Sequence, residues 1–447
     1  MCHRPEIRQD RDELLFGASA LFTSALEATM SGIRESRLGA LCAALAVCSV
    51  CMLISEVALT ASETHAPIGR GALHAVPTES GLEALIAAYN GVGQQLFRAL
   101  AQKPRNVVLS PYSIGTAMAM TLIGARGETA SEMARVLGLQ FSAEKIDGAN
   151  ADLLTSLNGA STASFQLRVA NALVIPKRGG AISEDYSADL RHNYAAKVFR
   201  DATVTTVNNW VKENTAGKID SILNQLDPMT ALVLIDAIYF KAPWQSPFNA
   251  AATHSEAYHL INGEILVPTM VVRGDFALAE RPGYHAIRLP YVGDRLAMVI
   301  ILPDIGVVDT VRRLDGDELQ YLLAALRTSV HRVDVSLPRF HASFLVSLAG
   351  PFAEMGMHRA FDIRTADFSG VTGKSQSRIL AIDRIAHRAV IDVAEQGTEA
   401  TAATGTSVIL SSAKSIETFR VDRPFVFAVV DQETGVVLFE GQIVDPR

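Results

Sequence analysis

AVIDVAEQGTEATAATGTSVILSSAKSIETFRVDRPFVFAVV, residues Ala389 to Val430, decides how the rest of the chain is read. Two apolar runs bound it, Ala389–Val393 and Phe425–Val430, each rich in the β-branched and aromatic residues that favour strands. Between them, Glu395 to Ser415 holds threonines, alanines and glycines with no core-forming spacing. A loop of about 20 residues without structure of its own is uncommon in a compact domain and is usually functional. The stretch therefore predicts an exposed working loop strung between two buried strands.

Outward from this segment, further strand-like runs occur at Leu232–Phe240, Leu296–Leu302, Val333–Leu337 and Val436–Ile443. Several are apolar on consecutive residues, the pattern of strands buried on both faces. Helical spacing dominates earlier. Leu82, Leu85, Ile86, Tyr89, Leu96, Phe97 and Leu100 recur at three- and four-residue steps. Ser110-Pro111 opens an apolar stretch as a helix cap followed by proline in the first turn. Thr129 or Ser131 is placed to cap another segment reaching Leu139, and Val207 to Leu223 reads as a further helix. Helices first and strands later give an α+β class.

The 447 residues are 49% apolar and 19% charged, with a net charge of −7, so no global field draws the chain to nucleic acid or anionic lipid. All four cysteines (Cys2, Cys42, Cys48, Cys51) precede residue 52, which leaves the remainder without disulfides or thiolate metal sites. Leu38 to Ser55 is uncharged and apolar, behind Arg34 and Arg37. With Met30 as the working start, it reads as a signal peptide cleaved after Ala61, giving a secreted chain from about Ser62; the alternative is a membrane anchor through Leu38–Ser55. Residues 1–61 are thus a leader, 62–78 a linker and 79–447 one domain.

Phosphate-loop, dinucleotide, nucleophile-elbow and zinc-protease signatures are missing from the sequence. Ser411-Ser412-Ala413-Lys414 matches Ser-x-x-Lys, but so does Ser142–Lys145, and the companion elements of acylating enzymes are not there. No enzyme, metal or cofactor is expected.

FRVDRPFVFAV (Phe419 to Val429) resembles the C-terminal signature of the serpin family, and AEQGTEATAATG (Ala394 to Gly405) the hinge before a serpin reactive loop. NVVLSPYSIGTAMAM (Asn106 to Met120), VNNWVKENTAGKIDSIL (Val207 to Leu223), AIYFKAPWQSPF (Ala237 to Phe248), LPRF (Leu337 to Phe340) and ADFSGV (Ala366 to Val371) resemble further blocks of that family in order. The resemblance covers about residues 80–447. It implies three mixed sheets, eight or nine helices, and a reactive loop that a serine protease cuts. The upstream half of that loop then inserts into the main sheet as a new strand, trapping the acylated protease. The alternative within the family is a non-inhibitory carrier, chaperone or storage protein.

The resemblance also assigns residues. Counting 16 positions from hinge Glu395 puts the scissile bond between Ser411 and Ser412, or one residue earlier with Leu410 in the protease pocket. The implied targets are elastase-like or chymotrypsin-like proteases. Gly397 is the pivot; Thr398, Ala400, Thr401, Ala402 and Ala403 are small enough to insert, and alternation turns Glu399 to solvent. Ser110, Ser113 and His387 fall where the central strands part, with Asp236 where the family usually carries asparagine; if Asp236 faces His387, a charged histidine is expected in the latch, and the alternative is an Asp236 satisfied by serine hydroxyls or water. Arg339 and Glu395 are expected to pair beside Trp244. The segment where heparin-activated relatives are basic is acidic here (FSAEKIDGANADLLTSLNGAS), so heparin acceleration is not expected, and the protein is expected to be a monomer.

Overall fold

The computed structural model describes residues 81–160, 165–175, 181–226, 232–373, 380–398 and 416–447. The leader, the linker, Glu399, Ala400, Thr401, Ala402, Ala403, Leu410, Ser411 and Ser412 lie outside the described residues.

The predicted amphipathic segment forms α1 (Gly81–Leu100), whose buried face carries Leu85, Ile86, Tyr89, Leu96 and Phe97. A short strand, β1 (Val107–Leu109), leads into α2 (Pro111–Leu122), in which every residue is buried. A helix apolar all round belongs in the centre of a fold. It lies against β4 (Leu232–Pro243) and β15 (Val437–Ile443), one strand from each of the two sheets. The helix after it, α3 (Gly127–Leu137), ends at left-handed Gly138. It begins at Gly127, ahead of the expected caps, and Thr129 Oγ1 is used instead to accept the Asp367 N–H at 3.0 Å.

Two sheets hold the molecule. The six-stranded sheet has the order β10 (Phe340–Ser347), β11 (Ile382–Ala394), β12 (Gly397–Thr398), β4, β2 (Gln166–Ile175), β3 (Lys197–Arg200). Below β12, β11 and β4 pair directly and in parallel, from Ile382–Leu232 to Val390–Tyr239. Both faces of this centre are covered. The inner face joins the main core, and Val207 and Val211 of α6 (Val204–Asn214) pack on Ala172, Val233 and Ile235 of the outer face with Ile219, Ile222 and Leu223. The helix read over Val207 to Leu223 therefore stops early: Ala216 and Gly217 take left-handed conformations, which an α-helix cannot continue. The apolar residues beyond them still reach the sheet as an irregular segment.

The other sheet has nine strands. β6 (Gly263–Arg281) pairs in turn with β5 (His254–Leu260), β9 (Val330–Pro338) and β7 (Tyr284–Pro290). This 19-residue strand fuses what was expected as two sheets into one. Edge strand β13 (Glu417–Arg420), just after the loop, pairs with β9. β14 (Phe425–Asp431) lies buried between β15 and β8 (Leu296–Pro303). Ten α-helices are present among the described residues, three of them only four to seven residues long. The class is α+β, as expected.

Candidate functional site

Ser110 is extended (φ −119°, ψ 101°), and its hydroxyl accepts the Ser113 N–H at 3.1 Å, which caps α2. This aims Ser113 at the sheet. Its hydroxyl donates to Asp236 Oδ1 and lies 3.5 Å from Asn171 Oδ1. Asn171, Asp236 and His387 are direct cross-strand partners on β2, β4 and β11. Asp236 Oδ2 is 2.8 Å from His387 Nδ1, and the Ser110 backbone N–H donates to His387 Nε2 at 3.3 Å. Ser110, Ser113, Asp236 and His387 are all fully buried.

Both ring nitrogens of His387 are engaged, Nδ1 with the Asp236 carboxylate and Nε2 with the Ser110 backbone N–H. Asp236 thus faces His387 across the sheet, and the Ser113 hydroxyl serves the same carboxylate. Asn171 completes the row and was not foreseen. Its signal is positional only, as the antiparallel neighbour of Asp236.

At the upper end of the sheet, β11 turns through Glu395 and Gln396 into β12, which stands between β11 and β4. Val393 faces Thr398, and Gly397 faces Pro243. Gly397 has φ 148°, and a Cβ there would lie 2.1 Å from Ala242 O and 2.6 Å from Pro243 Cα. No other residue fits this seat without displacing backbone. Thr398 is fully buried, with Oγ1 2.6 Å from the Tyr291 hydroxyl. Tyr291 in turn stacks on Trp244, with ring centroids 4.5 Å apart and planes at 8°. Burial pushes the Tyr291 phenol well above its ordinary range, against the opposing Thr398 bond. Its proton is fixed.

Trp244 Nε1 donates to Ala394 O at 2.9 Å and its backbone N–H to Gln396 O at 3.0 Å. Glu395 accepts from Arg339 Nε and Thr253 Oγ1, both at 2.6 Å. Burial would raise the Glu395 carboxyl, but these bonds and the charge of Arg339 outweigh it and hold the group below its ordinary value. Arg339, Glu395, Trp244, Gly397 and Thr398 are thus brought together as expected; Tyr291 and Thr253 complete the group and were not foreseen.

The arrangement can admit a strand. Above Val390–Tyr239, β4 and β11 are held apart by two residues of the hinge; below, they close on a buried polar row.

The description "Serpin (serine protease inhibitor)" matches residues 87–446. An uncharacterised serpin-like protein of Thermococcus kodakarensis is 37% identical over 374 residues, covering 81% of this chain and 86% of its own length. The leukocyte elastase inhibitor of Bos taurus is 33% identical over 386 residues, covering 82% of this chain and all of its own. Among solved structures, the thermophilic serpin tengpin in its native state superposes with a TM-score of 0.72 at 27% identity, over 80% of this chain and 94% of that one.

Proposed function

Because the chain belongs to the serpin family, we propose that it inhibits serine proteases as a suicide substrate: the protease serine is acylated at the loop, and the loop then inserts between β4 and β11. The observation that carries this reading is the seat of Gly397–Thr398, whose backbone already lies between those two strands in antiparallel register with both. On insertion, strand alternation from Thr398 would turn Ala400 and Ala402 inward and Glu399, Thr401 and Ala403 outward. The chain from Glu399 onward therefore offers only small side chains to the interior while insertion proceeds.

The acylating bond is Ser411–Ser412, which fits a protease with a small primary pocket; a bond after Leu410 fits a chymotrypsin-like slot. The kinship with leukocyte elastase inhibitor supports the first choice. The inhibitor acts as a monomer, outside the cell, after removal of the leader near Ser62. The chain supplies no catalytic group. The protease's own serine attacks, and insertion distorts the acyl-enzyme before water can release it.

Incubation with pancreatic elastase, chymotrypsin and trypsin separately, read on a denaturing gel, tests the proposal. A covalent band near the summed masses, with a released fragment beginning at Ser412 or Ser411, is expected with elastase or chymotrypsin. Cleavage with no covalent band across a wider protease panel would transfer the reading to a non-inhibitory carrier, chaperone or storage role.

A further inference from the structure

One short stretch of chain is bonded to both flanks of the loop. Upstream, the Thr253 hydroxyl, just ahead of β5, donates to Glu395 Oε1 at 2.6 Å. Glu395 is where β11 turns towards β12, and its backbone oxygen also accepts the Phe248 N–H at 2.8 Å. Downstream, Glu256 of β5 accepts at Oε2 from Arg420 Nη2, on the last residue of β13, at 2.8 Å. His254 lies between Thr253 and Glu256 in the chain. Its Nε2 is 2.7 Å from Glu256 Oε1, and its Nδ1 is 2.9 Å from Ala252 O. The ring thus braces one oxygen of the carboxylate while Arg420 takes the other.

These bonds bridge strands that share no ladder. β5 pairs with β6, and β13 pairs with β9 over four residues at the edge of the sheet. The first residue of β13, Glu417, bonds His331 of that same neighbour at 2.6 Å, so Arg420 supplies the tie to a second strand. The other carboxylate near Arg420 is a poorer partner, with Asp422 Oδ2 at 3.9 Å from Nε. Glu256 is also the better sheltered side of its pair, 17% exposed against 51% for Arg420.

We propose that Thr253–Glu256 is a tie-piece that fixes the span of the reactive loop: Thr253 secures the upstream pivot, and Glu256, braced by His254, holds the downstream flank where a protease meets it. The two ends act at different times. Before cleavage, a fixed β13 spares the protease the entropy of ordering a loop loose at one end, so Glu256 and Arg420 act on association. Once the bond after Ser411 is cut, β13 is no longer joined to the inserting segment, and their influence ends. Thr253 acts on the later step, because Glu395 starts the turn that seats Gly397–Thr398 between β4 and β11. Losing its bond loosens the seat from which insertion outruns release of the protease.

The test uses the full chain. Thr253→Val removes the upstream hydroxyl at constant shape, while Glu256→Ala and Arg420→Ala remove the two sides of the downstream tie. Amide exchange is read first, without protease. Exchange of the Phe248 amide is expected to rise about two- to fivefold in Thr253→Val, and to return to the wild-type rate in Thr253→Ser, which keeps the hydroxyl. Exchange of the Val421 amide, bound to Ser336 O at 2.9 Å, is expected to rise by a similar factor in Glu256→Ala and Arg420→Ala, with Phe248 unaffected. With elastase or chymotrypsin, Glu256→Ala should lower the association rate about two- to fivefold and leave unchanged the number of inhibitor molecules cleaved per protease trapped. Thr253→Val should raise that number and leave the association rate unchanged. The Glu256→Ala, Arg420→Ala double variant should associate no more slowly than either single one. Exchange unchanged in every variant, or both kinetic quantities moving together in both Thr253→Val and Glu256→Ala, overturns the inference. Its kinetic half rests on the inhibitory reading: trapping by none of the chains sinks that reading and not the tie, which the exchange rates decide by themselves.

Discussion

The middle and the upper end of one sheet are held shut by opposite means. In the middle, β4 and β11 pair directly, and Asn171, Asp236, His387 and Ser113 form a polar row with no exposure to solvent. At the top, a two-residue strand keeps the same strands apart, and the bonds around it run to backbone carbonyls, an aromatic stack and an ion pair whose arginine is 46% exposed. Buried polar groups are demanding, because removing one partner strands the other in low dielectric. Exposed pairs are forgiving, because water replaces the lost partner. On the proposed mechanism, the barrier to opening lies in the middle and the entry point at the top.

The largest effect expected from breaking this contrast is at His387. His387→Leu leaves the Asp236 carboxylate buried without its 2.8 Å donor, at a cost of about 3–5 kcal/mol in the denaturant midpoint. Asp236→Asn keeps the shape and can still accept from His387 and donate to Ser113, so its cost should be well below that of His387→Leu. Equal costs for the two would mean that the row acts through shape and not through the charge.

Gly397→Val comes next. Backbone strain at φ 148° contributes about 1–3 kcal/mol, and the Cβ overlap with Ala242 O adds to it. The hinge should leave its seat, and the number of inhibitor molecules cleaved per protease trapped should rise. An unchanged ratio would show that the seated hinge is not on the route to insertion.

The smallest effect is expected at Arg339. Arg339→Ala removes a half-exposed partner while Thr253 still serves Glu395, so about 0.2–1 kcal/mol is expected at neutral pH. The Glu395 carboxyl is held below its ordinary value, so its contribution is present above the unfolded value near 4.5 and is lost as pH falls through the lower folded value. Acid denaturation of Arg339→Ala should therefore differ less from the wild type as pH drops below 4. A gap that widens with acid would contradict the ion pair.

Legibility in the sequence followed burial. β8 and β14 were readable as apolar runs, and β4 as one interrupted only by Asp236 before Lys241, because neighbours cover both their faces. β6 was not, because its pattern mixes exposed and buried positions around Pro268 and Gly274, and so the fusion of two expected sheets went unseen. α2 was placed by Ser110 and Pro111, whose capping chemistry is local. The early end of α6 was missed because left-handed Ala216 leaves no mark in composition. Arg339, Glu395 and Trp244 were foreseen through family resemblance, whereas Tyr291 and Asn171 were not, since their partners lie 107 and 58 residues away in the chain.

By itself, the sequence determined the α+β class and the family and set small residues in the hinge, because those depend on residue type and short spacing. Only the tertiary structure decided that Gly397–Thr398 is already seated between β4 and β11. It alone set His387 against Asp236 and buried Glu440 beside Leu109 and Ala428. Each of these is a matter of which group meets which across strands far apart in the chain, and residue type and short spacing do not record that meeting.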